Sequence, residues 1–291
     1  MESTAIDFLL STQARDGGWG YLPDQNSTVE PSSSVIIALQ NQPNTSDACD
    51  QAIKWLIKAQ NKDGGWGISL EDHQSGWQTA WALLALARYN EYSDVKRRAI
   101  EWLLTTELFD FSYYEAQAGN KELFSIDPSL RGWPWLPGEA SWVEPTALSI
   151  FALRSATKSA PKNDRIKEAV IFLKDRRCRE GGWNIGSPSM FSKDLTPRSH
   201  STALALIALK GVAPDMIQSQ DIRALRMEMN NENRALAFAW GSVALQSLDE
   251  NDEISVLKLK SMQKQNGSWD DNINLTAIAF AAMNHNFLIK N

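Results

Sequence analysis

The strongest constraint on this chain is a seven-residue frame that recurs along it. Gln13-Ala-Arg-Asp-Gly-Gly-Trp19 and Gln60-Asn-Lys-Asp-Gly-Gly-Trp66 share the frame 47 residues apart. Arg177-Cys-Arg-Glu-Gly-Gly-Trp183 keeps it with Arg in place of Gln, and Gln263-Lys-Gln-Asn-Gly-Ser-Trp269 keeps the Gln and the Trp. Self-similarity of this kind means stacked supersecondary units, each too small to bury its apolar face alone. Each copy follows an amphipathic stretch, such as Ala52, Trp55, Leu56 and Ala59 before the second. The glycines then end the helix, because glycine takes the left-handed conformation without steric cost.

A second kind of helix follows each loop: SSSVIIALQ (32–40), TAWALLALARY (79–89), TALSIFALRSA (146–156), STALALIALKG (201–211) and LTAIAFAAMNH (275–285). These are Ala-rich and nearly uncharged, which predicts burial on more than one side, with the charged preceding helices outside. Two further hairpins, built on 93–107 with 146–156 and on 219–232 with 234–248, lack the Gln-to-Trp frame. Six outer and six inner helices are thus expected across residues 1–291 as one all-α domain. The last inner helix is as apolar as the middle ones, whereas an open solenoid needs polar caps. The expected fold is therefore a closed (α/α)6 barrel, or toroid, with inner helices lining a cavity.

Composition limits the partners. The net charge is −6 without Lys/Arg blocks, which argues against a nucleic-acid ligand. No apolar run has the length of a membrane span, and the first twenty residues have no basic segment of a signal peptide. The chain reads as cytoplasmic and globular. Two cysteines, Cys49 and Cys178, are too few for a disulfide framework or a thiolate metal cage, and no metal or cofactor is expected.

The frame Gln-x(2–5)-Gly-x-Trp after an amphipathic helix resembles the QW repeat of squalene and oxidosqualene cyclases, whose α/α toroid is shared with protein prenyltransferase β subunits. The resemblance implies that Trp19, Trp66, Trp183 and Trp269 are braces between helices. It also implies a small hydrophobic, isoprenoid ligand. Such cyclases commonly combine two barrels, so a homodimer or partner subunit would complete a one-barrel chain. The zinc site of the prenyltransferases needs Asp, Cys and His together, but here Cys49, Cys178, His73, His200 and His285 are scattered over separate repeats, and no Asp-Asp-x-x-Asp helix supports a magnesium-dependent terpene synthase.

Class II cyclases protonate an alkene or epoxide with the middle Asp of an Asp-x-Asp-Asp-Thr-Ala motif. This chain lacks that motif. Its nearest equivalent is Trp142-Val-Glu-Pro-Thr-Ala147, which places Glu144 at the proton-donating position. Aligned inner-helix starts put Glu30, Trp77, His200, Leu236 and Asn274 at the same position, forming a ring at the cavity mouth if the barrel closes. The expected catalytic set is Glu144 as acid, tuned by Glu30 and His200. The competing reading is that Glu30 and Glu144, each before a proline, cap their helices.

A long connection, 108–143, adds Tyr113, Tyr114, Trp133, Trp135 and Trp142 as candidate binding aromatics, or else fills the missing brace of the third repeat. The insertion 184–200 brings Arg198 towards the same rim. With Trp77 and Asn274 these complete the candidate substrate-binding set. The function expected is acid-initiated cyclisation of an isoprenoid. The alternatives are a non-catalytic toroid that binds an isoprenoid, lipid or protein partner, and a glycan-acting (α/α)6 enzyme.

Overall fold

The computed structural model describes residues 2–109 and 126–287. Tyr113 and Tyr114 lie outside them. Among the described residues there are twelve α-helices, alternating outer and inner as the sequence pattern predicts. The outer set is α1 (Glu2–Ser11), α3 (Ser46–Lys58), α5 (Ser93–Thr105), α7 (Asp164–Asp175), α9 (Ser219–Glu232) and α11 (Glu253–Met262). The inner set is α2 (Val29–Leu39), α4 (Gln78–Leu86), α6 (Val143–Ala156), α8 (Ser199–Val212), α10 (Ala235–Ser247) and α12 (Ile273–Met283). Each inner helix packs on the next, and α12 packs on α2, so the ring closes. The inner helices are apolar all round and every residue of α4 is buried. Outer helices bury one stripe, as α3 does with Ala48, Ala52, Ile53, Trp55 and Leu56.

The Trp of each repeat holds its hairpin together by two hydrogen bonds. The Trp66 backbone N–H donates to Thr79 Oγ1 (2.9 Å) at the start of inner helix α4, while its indole N–H donates to the Leu56 carbonyl (2.7 Å) of outer helix α3. Trp19, Trp183 and Trp269 repeat this arrangement with Ser32, Thr202 and Thr276 inside and Leu9, Leu173 and Leu259 outside. A fifth brace appears where the Gln-to-Trp frame is missing: the Trp133 N–H donates to Thr146 Oγ1 (2.7 Å) and its indole to the Leu103 carbonyl (2.8 Å). All five indoles are fully buried, so both donors need these acceptors.

The Gln side chain links successive hairpins. Gln60 Nε2 donates to the Gly64 carbonyl of its own turn and to the Val95 carbonyl in the first turn of α5 (3.0 Å). Gln13 does the same between Gly17 and Ala48 of α3. Between links, Gly64 sits at φ +99°, and a Cβ there would stand 2.8 Å from the Arg98 carbonyl oxygen of α5. Glycine therefore serves both the turn and the close approach.

The structure adds a small β-hairpin that the sequence pattern did not predict. Within the 184–200 insertion, Ser189–Met190 (β1) and Lys193–Asp194 (β2) pair antiparallel, with Phe191 and Ser192 in left-handed conformations at the tight turn.

Gly64→Ala should lose about 1–3 kcal/mol through backbone strain and more through the Arg98 contact. Gly138, at φ +81° with nothing within 4 Å of a Cβ, provides the strain-only control. Urea unfolding should therefore show Gly64→Ala to be more destabilising than Gly138→Ala. Equal losses would mean that the approach to α5 carries no weight.

Candidate functional site

The inner helices all enter the ring from the same end, so residues at their first turns converge. Glu30, Trp77, Glu144, His200, Leu236 and Asn274, one from each inner helix or its cap, line a single cavity of about 210 Å³. One turn deeper the wall is Trp81, Leu148, Leu204, Trp240 and Ile278, and Trp135 joins from the loop before α6. Each deeper residue stands four positions after its ring residue, the spacing that keeps side chains on one helix face. The cavity is thus apolar, with its polar groups confined to the mouth.

Each carboxylate accepts a hydrogen bond from a neighbouring helix. Both lie in the first turn of their helices, α2 and α6, but the side-chain bonds described for them go to neighbours. Glu30 Oε1 accepts from Asn274 Nδ2 of α12 (3.1 Å), and Glu30 Oε2 accepts from the Tyr21 hydroxyl at short range. Glu144 Oε1 accepts from Ser201 Oγ of α8 (2.8 Å) and lies 3.5 Å from His200 Nδ1. His200 in turn tilts against Trp240, 5.4 Å between ring centroids.

Burial sets the charge states. It pushes the Glu30 carboxyl above its ordinary value of 4.5, against hydrogen bonds from Tyr21 and Asn274 that pull it down. It also holds the Tyr21 phenol far above its ordinary value, helped by the Glu30 charge. Burial depresses the His200 imidazole, with Glu144 and Glu232 opposing the shift. The mouth thus raises the pKa of an acid on α2 and lowers that of a base on α8. These two helices stand opposite each other in the ring.

Several candidate residues lie elsewhere. Trp133 is the fifth brace and does not line the cavity, because both its N–H groups are committed to the hairpin. Trp142 caps α6 and packs on Gly186 at the outer rim, one-third exposed. Arg198 is exposed, donating its backbone N–H to the Trp183 carbonyl. Trp77 and Trp135 do line the cavity, edge to face with centroids 5.3 Å apart.

Tyr21, Trp81 and Trp240 were not anticipated. The last two were accessible to a four-residue step from the predicted ring. Tyr21 stands two residues after a frame Trp, as Trp135 does after Trp133, and its backbone carbonyl accepts from the first N–H of α12, just as that of Trp135 accepts from Trp77.

The sequence profile of the squalene-hopene cyclase C-terminal domain matches residues 1–123. No curated protein sequence matches the chain. Among solved structures, a protein from Actinoplanes superposes with a TM-score of 0.64 at 18% identity, covering 97% of both chains. The type II terpene cyclase MstE from Scytonema, in complex with its product merosterolic acid A, gives 0.63 at 17% identity over 97% of this chain and 94% of that one. Its complex with the substrate geranylgeranyl dihydroxybenzoate also gives 0.63, at 16% identity over 98% and 96%. An α-amylase from Clostridium perfringens gives 0.61 at 11% identity over 97% of each chain. The fold is an α/α toroid related to the squalene-hopene cyclase and type II terpene cyclase structural superfamily.

Since the folded state holds the Glu30 proton, its stabilising contribution is present below the ordinary value of 4.5 and is lost as pH rises through the shifted one. Thermal melts of Glu30→Gln should therefore gain on wild type from pH 4.5 towards alkaline pH. A difference that stays flat would show Glu30 titrating as an ordinary exposed carboxylate.

Proposed function

We propose that the chain is a terpene cyclase-like enzyme that takes the end of an isoprenoid into this cavity and starts cyclisation by protonation. The carrying observation is a buried carboxyl with a raised pKa at the mouth of a tryptophan-walled cavity. The shared fold with a cyclase that binds a geranylgeranyl substrate supports the same reading.

Glu30, rather than Glu144, is the proton donor in this scheme. A carboxylic acid protonates an alkene only if it is neutral at the working pH and its conjugate base is stabilised afterwards. Burial moves Glu30 towards the first condition, and Tyr21 and Asn274 supply the second. The proton adds to the terminal alkene carbon or epoxide oxygen. The resulting cation is attacked by the next double bond, forming a carbon–carbon bond and passing the charge along the chain. The faces of Trp77, Trp81, Trp135 and Trp240 stabilise that charge by about 0.5–2 kcal/mol each. Loss of a proton to neutral His200, whose imidazolium Glu144 then balances, completes an isomerisation with no net change in atoms.

The test is product analysis by mass spectrometry. The substrates would be geranyl, farnesyl and geranylgeranyl diphosphates, squalene, oxidosqualene and geranylgeranyl dihydroxybenzoate. Glu30→Gln should lose about 10²–10⁴-fold of the rate, with a smaller loss in Glu144→Gln. A cyclised product made equally well by Glu30→Gln would keep the enzyme and remove this acid. A lipid that co-purifies but is never converted would favour the non-catalytic binding toroid.

A further inference from the structure

The cavity ends abruptly. Trp81 on α4 and Trp240 on α10 come from opposite sides of the ring, yet their centroids are only 6.0 Å apart, edge to face. The two indoles therefore meet across the lumen. They stand about one helical turn, roughly 5–6 Å along the axis, below the mouth ring. What holds them there is not an inner helix. Beyond α12 the chain turns back under the ring and inserts Phe287, fully buried, against both indoles (5.0 Å from Trp240 and 6.3 Å from Trp81) and against Phe151 of α6.

The insertion is anchored on both sides. The Arg88 guanidinium, just past α4, donates to the Phe287 carbonyl. Asn286 Nδ2 donates to the Gln40 carbonyl just past α2 (3.1 Å) and more weakly to that of Ala38 (3.4 Å). Three rings from three directions thus close the barrel, and one of them belongs to the tail.

We propose that Phe287 sets the depth of the binding cavity and so determines how much of an apolar chain can pass the carboxyl ring. With the floor one turn down, the end of an apolar chain is stopped about one helical turn below Glu30 and Glu144. This deepens the isoprenoid reading of the same cavity and rests on it for the identity of the ligand, though not for the position of the floor.

Isothermal titration with linear primary alcohols from butanol to dodecanol measures that depth independently of isoprenoid chemistry. Each methylene that enters should tighten binding about three- to fourfold, until the chain reaches the floor and affinity levels off. Phe287→Ala should leave the short alcohols unchanged and move the plateau by at least two methylenes, roughly tenfold in affinity for the longest members. Phe287→Leu should move it less, and serves if the Ala variant does not fold. The same plateau in wild type and both variants, or no rise with chain length in wild type, overturns the proposal. Geraniol and farnesol form the second arm. If neither binds while the alcohol plateau moves, Phe287 is still the floor and the isoprenoid reading fails.

Discussion

Everything in this structure depends on an indole hydrogen bond to a helix end. A Trp N–H that would otherwise be buried without a partner donates to the last carbonyls of an outer helix, while the backbone N–H of the same residue is received by a Ser or Thr hydroxyl on an inner helix. Five repetitions fix the distance and angle between the two shells. Because each brace meets its inner helix near the first turn, the five braced inner helices begin at one level. That common level lets six first-turn side chains converge on a single cavity.

The mouth and the wall then have opposite chemistry for one reason. Inner-helix N-termini leave unsatisfied N–H groups and approach solvent, so they tolerate Glu, His and Asn. The next turn down faces only its counterparts across the lumen and is Trp, Leu or Ile. At this boundary Glu30 is desolvated enough for burial to push its carboxyl above the ordinary value. Pairing Glu30 with Tyr21 and Asn274, and Glu144 with His200 and Ser201, gives the two acids different surroundings although their local sequences are nearly the same.

Much of this is legible in the sequence alone. The frame glycines and tryptophans fixed the hairpin period, and aligning inner-helix starts on their Thr-Ala or Ser-Ser pairs brought out Glu30, Trp77, Glu144, His200, Leu236 and Asn274 together. Of the two roles the long loop leaves open, Trp133 takes the missing brace of the third repeat: the leading Gln is absent, but Gly132 before it and Thr146 thirteen residues on keep the spacing of Trp66 and Thr79. Nothing local distinguishes Glu30 from Glu144. The difference comes from which neighbouring helix faces each one, a property of ring closure. Phe287 was hidden for a related reason: a lone Phe after the last helix carries no period, and its place is set by Arg88 and Asn286 gripping backbone across the ring.

The central claim is a carboxylic acid kept neutral over an apolar cavity. Difference infrared spectroscopy of wild type against Glu30→Gln, followed through a pH titration, observes that group directly. The account predicts a protonated-carboxyl band at neutral pH that is absent from the variant and disappears only well above the ordinary Glu range. A wild-type spectrum in which Glu30 is already a carboxylate at neutral pH would contradict it.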